Sequence, residues 1–287
     1  MYNVSRNSDE CQRVHKDLQK HKTLVIIKSN AKFFTILILL GIARFISVKQ
    51  LDYQEHVTEY GVHWNFFFTL ALCKLLATCI LFLSNRPFLF SLIILVFHEL
   101  ILYFGLQDWV FSDTPRTSLI TANREGITSC LGYVSLYLYA AYVKTELSDH
   151  TKSKINIVLK LACLSVIQWM ALYFLNNDLP VSRTLANSSY CIYLSSVFTS
   201  IICLMYFIEV LFQDKDKKLL FQVPLIILAI NDNGLIYFLT ANLLTGAVNL
   251  SCRTLFVSSS FSIVILNVYM VLTLFLVVYL KKVGLKI

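Results

Sequence analysis

A chain of 287 residues in which 57% are hydrophobic and 15% charged, with a mean hydropathy of +0.66, excludes a soluble globule, for which about 25% charged residues is ordinary. Aromatics at 14%, with 8 Gly and 4 Pro, exclude disordered, collagen-like and low-complexity chains. The net charge of +8 does not signal nucleic acid, because the Lys and Arg lie in loops and tails between apolar runs, the pattern that orients a membrane protein. The expected class is all-α: a polytopic membrane helix bundle.

In chain order, residues 1–32 are polar and charged with no early apolar region, so no cleavable signal is present. They read as a cytosolic tail, and 33–287 as a single transmembrane domain. A bilayer core of about 30 Å needs about 20 apolar residues in a helix. Eight segments meet this: 33–49, 65–84, 88–106, 126–143, 155–176, 190–212, 234–250 and 255–280. The first is short and carries Arg44; the seventh is short and polar. The stretch Leu219 to Ile230 is broken by Pro224 and too short to span, and reads as an interfacial or re-entrant lead-in to the seventh span. Cys73, Cys79, Cys130, Cys163, Cys191 and Cys203 lie inside apolar runs and read as small hydrophobes, with only Cys11 and Cys252 near or beyond span ends.

Three polar blocks stand out between spans. The first, from Tyr53 to Asn65, holds His56, His63, Glu55 and Glu59 within a dozen residues. These types supply a general base and its orienting partner; the alternative is an interfacial aromatic belt built on Tyr60, Trp64 and the histidines. A metal site is not specified, because the His and Glu spacings match no ligand set and no Cys is near. The second block, Thr121 to Gly126, contains Asn123, Arg124 and Glu125: an anion-holding fork beside donors and acceptors, or an ordinary helix start with a solvated Arg and Glu pair. The third, Val181 to Asn187, places Arg183 and Asn187 four residues apart, on one face if helical.

The seventh span carries Thr240, Asn242, Thr245 and Asn249, which predicts a helix enclosed by neighbours. Packing accounts for Gly246 and Thr245, and less well for Asn242. Arg44, Lys74, His98 and Glu99 lie at intramembrane positions and invite functional suspicion, although His98 and Glu99 point about 100° apart on a helix and form no dyad. There is no Gly-rich phosphate loop, nucleophile elbow or Cys-rich metal motif.

Counting Lys and Arg on alternate sides puts 17 with the two ends and the loops on their side, and 5 with the opposite loops. The basic excess marks the cytosolic side, so both termini are expected in the cytosol, with the loops 50–64, 107–125, 177–189 and 251–254 across the membrane.

The run "YQEHVTEYGVHWNFFFTLA", then "ANREGI" with "LGY", "VSRTLANSSYCIY" and "NGLIYFLTANLLTGAVNLS", in that order, resemble the glycosylphosphatidylinositol (GPI) inositol acyltransferases, called PIG-W in animals. The resemblance covers the chain from about residue 24 to its end. It implies an endoplasmic reticulum enzyme that transfers a fatty acyl group from acyl-CoA to the inositol 2-hydroxyl of glucosaminyl-phosphatidylinositol, with no bound cofactor. Family members have about thirteen spans, and the part without a counterpart here is an amino-terminal group of roughly five. That part carries a lumenal Asp and Lys proposed for catalysis, so those roles are transferred to no residue here. On this reading the partners are acyl-CoA, the glycolipid acceptor and membrane lipid. Arg124 and Arg183 suit the acceptor phosphate and Glu59 or Glu125 its ammonium. His63 is the candidate base with Glu59 beside it, Asn65 and Asn123 are oxyanion donors, and Asn187 and Asn242 are further contacts. A transporter or lipid-handling protein without acyl transfer, or an inactive remnant, are the competing readings.

Overall fold

The computed structural model describes residues 28, 30–47, 49, 57–149, 151–175, 178–212 and 223–285. Most of the polar tail, Glu55 and His56, the lysines at 215, 217 and 218, and Leu219 to Gln222 lie outside these residues. The described residues contain helices and turns but no strand. The helices are α1 (Asn30–Ser47), α2 (Val57–Tyr60), α3 (Phe66–Leu83), α4 (Pro87–Ile101), α5 (Gln107–Phe111), α6 (Leu119–Ala122), α7 (Arg124–Leu147), α8 (Lys154–Leu175), α9 (Ser188–Leu211), α10 (Leu225–Asp232), α11 (Gly234–Ser251) and α12 (Ser259–Lys282). Eight stretches among them are long and apolar enough to cross a membrane, within a few residues of the eight read from the sequence. The chain is a multi-pass membrane protein.

Local chemistry sets the helix ends. Asn65 caps α3, its Oδ1 accepting from the N–H groups of Phe67 and Phe68 at 3.0 and 3.4 Å, which satisfies two of the four orphan donors at a helix start. Pro87 opens α4, where a missing N–H costs nothing. The third span, Pro87–Phe111, is broken by a wide turn at Leu102–Leu106, where Gly105 takes φ 107°, a conformation open to glycine at little cost.

The contacts divide the chain into two compact units, Met1–Leu211 and Phe212–Ile287. In the first, α7 is the central helix, packed by α3, α4 and α9, while α8 lies along α9. The seam of α3 and α7 is built from small side chains, Cys73, Ala77 and Cys130 with Val134 and Leu138. Small residues let helix backbones approach closely where lipid supplies no hydrophobic drive. In the second unit α12 packs on α10 and α11, and Lys281 donates to Asp232. The expectation that the seventh span is enclosed is corrected within this unit: α11 has no buried residue. Asn242, Thr245 and Ser251 instead donate to the carbonyls of Phe238, Ala241 and Ala247 one turn back, which satisfies them inside their own helix.

Candidate functional site

The three polar blocks of the first unit converge at the amino-terminal end of α7. The turn after α2 lies against α6 and the start of α7: the Val62 N–H donates to the Ala122 carbonyl at 2.9 Å, and the His63 N–H to Asn123 Oδ1 at 2.7 Å. Two glycines permit the contact. A Cβ on Gly61, which has φ 104°, would sit 2.5 Å from the Asn123 Cα, and one on Gly126 would meet the Trp64 ring at 2.3 Å and the Tyr60 carbonyl at 2.6 Å.

The third block enters lower. A Cβ on Gly132 would lie 2.1 Å from the Ala186 carbonyl oxygen, so the loop before α9 touches α7 about 12 Å below its first residue, at 1.5 Å per residue. Leu185, Ala186 and Asn187 are buried, and Ala186 takes φ 48°. His98 Nε2 hydrogen-bonds the Leu185 carbonyl at 2.9 Å, and Glu99 Oε2 accepts from the Ser188 N–H at 2.7 Å. A carboxylate at a helix N-terminus meets both an orphan donor and the positive end of the dipole. The adjacent pair therefore acts on two separate targets, as its angular separation requires, and both targets are in this recessed loop. Protein encloses Leu185 to Asn187, while Arg183 stays at the loop's exposed edge.

The candidate residues divide sharply by what their polar atoms already do. Arg124 is 4% exposed; it donates from Nη1 to the Thr114 carbonyl at 3.2 Å and from Nη2 to the Ser112 carbonyl. Glu125, 3% exposed, is gripped by both terminal nitrogens of Arg116 at 3.1 and 2.5 Å, and that carboxylate holds the Arg116 proton more firmly than usual. The helix start is therefore as read, but its Arg and Glu are packed inside, not solvated. Asn123 donates to the Leu119 carbonyl at 2.8 Å, and Asn65 to the Gly41 carbonyl at 2.9 Å. Asn187 accepts from Ser182 and Tyr190 N–H groups and donates to the Pro180 carbonyl.

Arg183 and Asn187 do not share a helix face. Residues 183–186 form a turn ahead of α9, so Asn187 folds inward as the cap while the Arg183 side chain stays 57% exposed. Its guanidinium lies 3.7 Å from Glu59 and 3.5 Å from the Tyr60 hydroxyl, and Tyr60 first, then Glu59, raise its affinity for the proton. Tyr133 on α7 and Tyr190 on α9 have ring centroids 6.2 Å apart at 90°. His63 differs again. It lines an apolar cavity of about 510 Å³ with Phe45, Trp64, Phe68, Leu119 and Ile120, edge-on to Phe45, and its Nδ1 is buried with no hydrogen-bond partner among the described residues. Asn242 belongs to the second unit.

Arg116, Tyr60, Tyr133 and Tyr190 were not singled out by the sequence as site residues. Arg116 stands nine residues from Glu125 across a turn, a spacing with no helical or strand meaning. Tyr60 reads from the sequence only as part of an aromatic belt, and Tyr133 and Tyr190 sit among many aromatics in the apolar runs, where nothing in their spacing distinguishes them.

Among the described residues no group of His, Cys, Asp and Glu has the arrangement of a metal site. Fold and site together define a polytopic helical membrane protein with a polar cluster and an adjoining apolar cavity at one end of its first unit. A family model described as GWT1 matches residues 4–280, and the chain belongs to that family. GPI-anchored wall transfer protein 1 of Kluyveromyces lactis is 35% identical over 268 residues, covering 91% of this chain and 58% of that protein. Its namesake in Schizosaccharomyces pombe is 33% identical over 263 residues, with 88% and 57% covered. Glucosaminyl-phosphatidylinositol-acyltransferase PIGW of Homo sapiens is 34% identical over 279 residues, with 82% and 55% covered. The chain thus spans little more than half the length of the curated relatives it matches.

Proposed function

We propose that this chain supplies the acceptor side of an inositol acyltransferase of GPI-anchor assembly in the endoplasmic reticulum membrane. The observation that carries the reading is the juxtaposition on one turn, Glu59 to Trp64, of an exposed charged pair and a histidine that opens onto an apolar cavity. The acceptor, glucosaminyl-phosphatidylinositol, presents a phosphate, an ammonium and hydroxyls. Arg183 takes the phosphate through its fork, Glu59 the ammonium, and Tyr60, Tyr133 and Tyr190 the sugar and inositol hydroxyls. Asn123, Arg124, Glu125 and Asn187 position these groups by holding the three segments together, and Asn65 fixes α3 beneath the cavity.

In the reaction, a base takes the proton of the inositol 2-hydroxyl, the oxygen bonds to the thioester carbonyl of acyl-CoA, the carbon–sulfur bond breaks, and the thiolate of CoA leaves to be protonated. His63 suits the base, because its Nδ1 makes no hydrogen bond among the described residues, and the apolar cavity beside it suits the acyl chain. The relatives' additional length enters the reaction as well. We therefore expect the purified chain alone to transfer little acyl group, and activity to appear when it is co-expressed with the amino-terminal portion of the Kluyveromyces lactis relative. Robust transfer by the chain alone would move the catalytic roles to residues present here, and no transfer by the pair would remove the reading.

Both ends of the chain lie in the cytosol and the site in the lumen, supported by the 17 to 5 distribution of Lys and Arg. Single cysteines placed in the loop 177–189 should resist an impermeant reagent in sealed microsomes; labelling without detergent would reverse the orientation.

A further inference from the structure

A second cavity of about 640 Å³ opens between α7 and α9 at the other end of α7, walled by Leu136, Ala140 and Val143 on one side and Leu194 and Phe198 on the other. The hydroxyls of Thr199, Tyr139 and Ser195 are already spent within the protein. Thr199 donates to the Ser195 carbonyl at 2.6 Å, which leaves Tyr139 to donate to Thr199 at 2.5 Å, and Ser195 donates to the Ile192 carbonyl at 3.0 Å. The surface the groove presents is therefore hydrocarbon. From Leu136 to Ser148 it runs about 18 Å along α7 at 1.5 Å per residue, a little over half of a hydrocarbon core of about 30 Å. That is the depth of one leaflet.

At the polar end of the groove stand four lysines with different surroundings. Lys152 pairs with Glu146 and Asp149 at 3.0 Å each, Lys154 with Glu209 at 2.7 Å and Lys160 with Glu146 at 2.7 Å. Lys144, on the rim of the groove, is exposed and makes no ion pair among the described residues. An uncompensated ammonium at the mouth of an apolar slot one leaflet deep matches a phosphate carried on an acyl chain. We propose that the groove between α7 and α9 binds an anionic glycerophospholipid of the membrane, one acyl chain in the slot and the phosphate at Lys144. The site is separate from the acceptor cluster and does not depend on the acyl-transfer reading.

The test is native mass spectrometry of the whole chain released from nanodiscs containing equal amounts of phosphatidylglycerol and phosphatidylcholine with identical acyl chains, so that the occupant is read by mass. One phosphatidylglycerol should be retained about fivefold over phosphatidylcholine, the equivalent of about 1 kcal/mol for one Lys at a membrane surface. Lys144→Gln should bring the ratio to about one while keeping a bound lipid, and Lys144→Arg should preserve it. Ala140→Trp, which fills the slot, should remove both adducts; Leu194→Trp from the facing wall serves if that variant does not fold. Equal retention of the two lipids, a preference that survives Lys144→Gln, or adducts that survive the filled slot would overturn the proposal. So would displacement of phosphatidylglycerol by palmitoyl-CoA, which would make the groove a donor site, or a doubled protein mass in place of the lipid adduct, which would make it a face between two copies.

Discussion

Arg124 and Arg183 sit in polar blocks of similar composition, the first opening α7 and the second five residues before α9, yet the fold uses them in opposite ways. Arg124 is buried with its guanidinium bonded to backbone carbonyls of the Ser112 to Thr114 turn and beside a carboxylate that Arg116 already neutralises. Arg183 is more than half exposed, with one distant carboxylate and one phenol as company. The first is a structural tie, because its two terminal nitrogens are spent on backbone carbonyls. The second is the one proposed to read a ligand. The same division separates Glu125 from Glu59, and it shows that a charged residue in a loop between spans is not thereby a ligand contact.

The largest effect that sharpens this contrast belongs to the tie. Removing one partner from a buried charged network costs about 3–5 kcal/mol, so Arg124→Ala should sharply lower the unfolding midpoint in micelles and the amount of folded protein in membranes. Arg183→Ala should change stability by no more than about 0.5 kcal/mol, since the exposed pair it breaks contributes little. Equal destabilisation by the two would erase the distinction.

Next comes His63, the proposed base. In the reconstituted enzyme His63→Ala should lower turnover by about a hundredfold or more, with little change in the KM for the acceptor. Near-normal turnover would return His63 to an interfacial role beside Phe45. Smaller still, Arg183→Ala should weaken use of glucosaminyl-phosphatidylinositol by about 10-fold to 150-fold, the equivalent of losing a charged hydrogen bond of about 1.5–3 kcal/mol, and the lower end is expected because the group is exposed to solvent. The KM for acyl-CoA should hardly move. If varying each substrate in turn shows both affected equally, Arg183 does not read the acceptor.

Much of this molecule follows from the chain taken alone. Eight apolar runs of bilayer length specify eight helices because backbone polar groups in lipid have no other partner, and their ends agree with the structure to within a few residues. Asn65 as a cap and Pro87 as an opener are local events, although from the chain alone Asn65 reads as an oxyanion donor and Pro87 is not singled out. That His98 and Glu99 act on different targets also follows from helix geometry. Tertiary structure alone decided which polar residues are free. Arg116 reaches Glu125, and His98 reaches Leu185, across separations that have no period in sequence. The recess of the loop before α9 rests on the absent Cβ of Gly132, whose meaning appears only when Ala186 is set against it. Within the second unit α11 is not enclosed, for a related reason: side-chain polarity states that hydrogen bonds must be made, and only the folded helix shows that Asn242 and Thr245 make them to their own preceding turn. Helix formation is a property of short range in the chain, whereas the availability of a charge depends on every neighbour the fold brings within hydrogen-bonding distance.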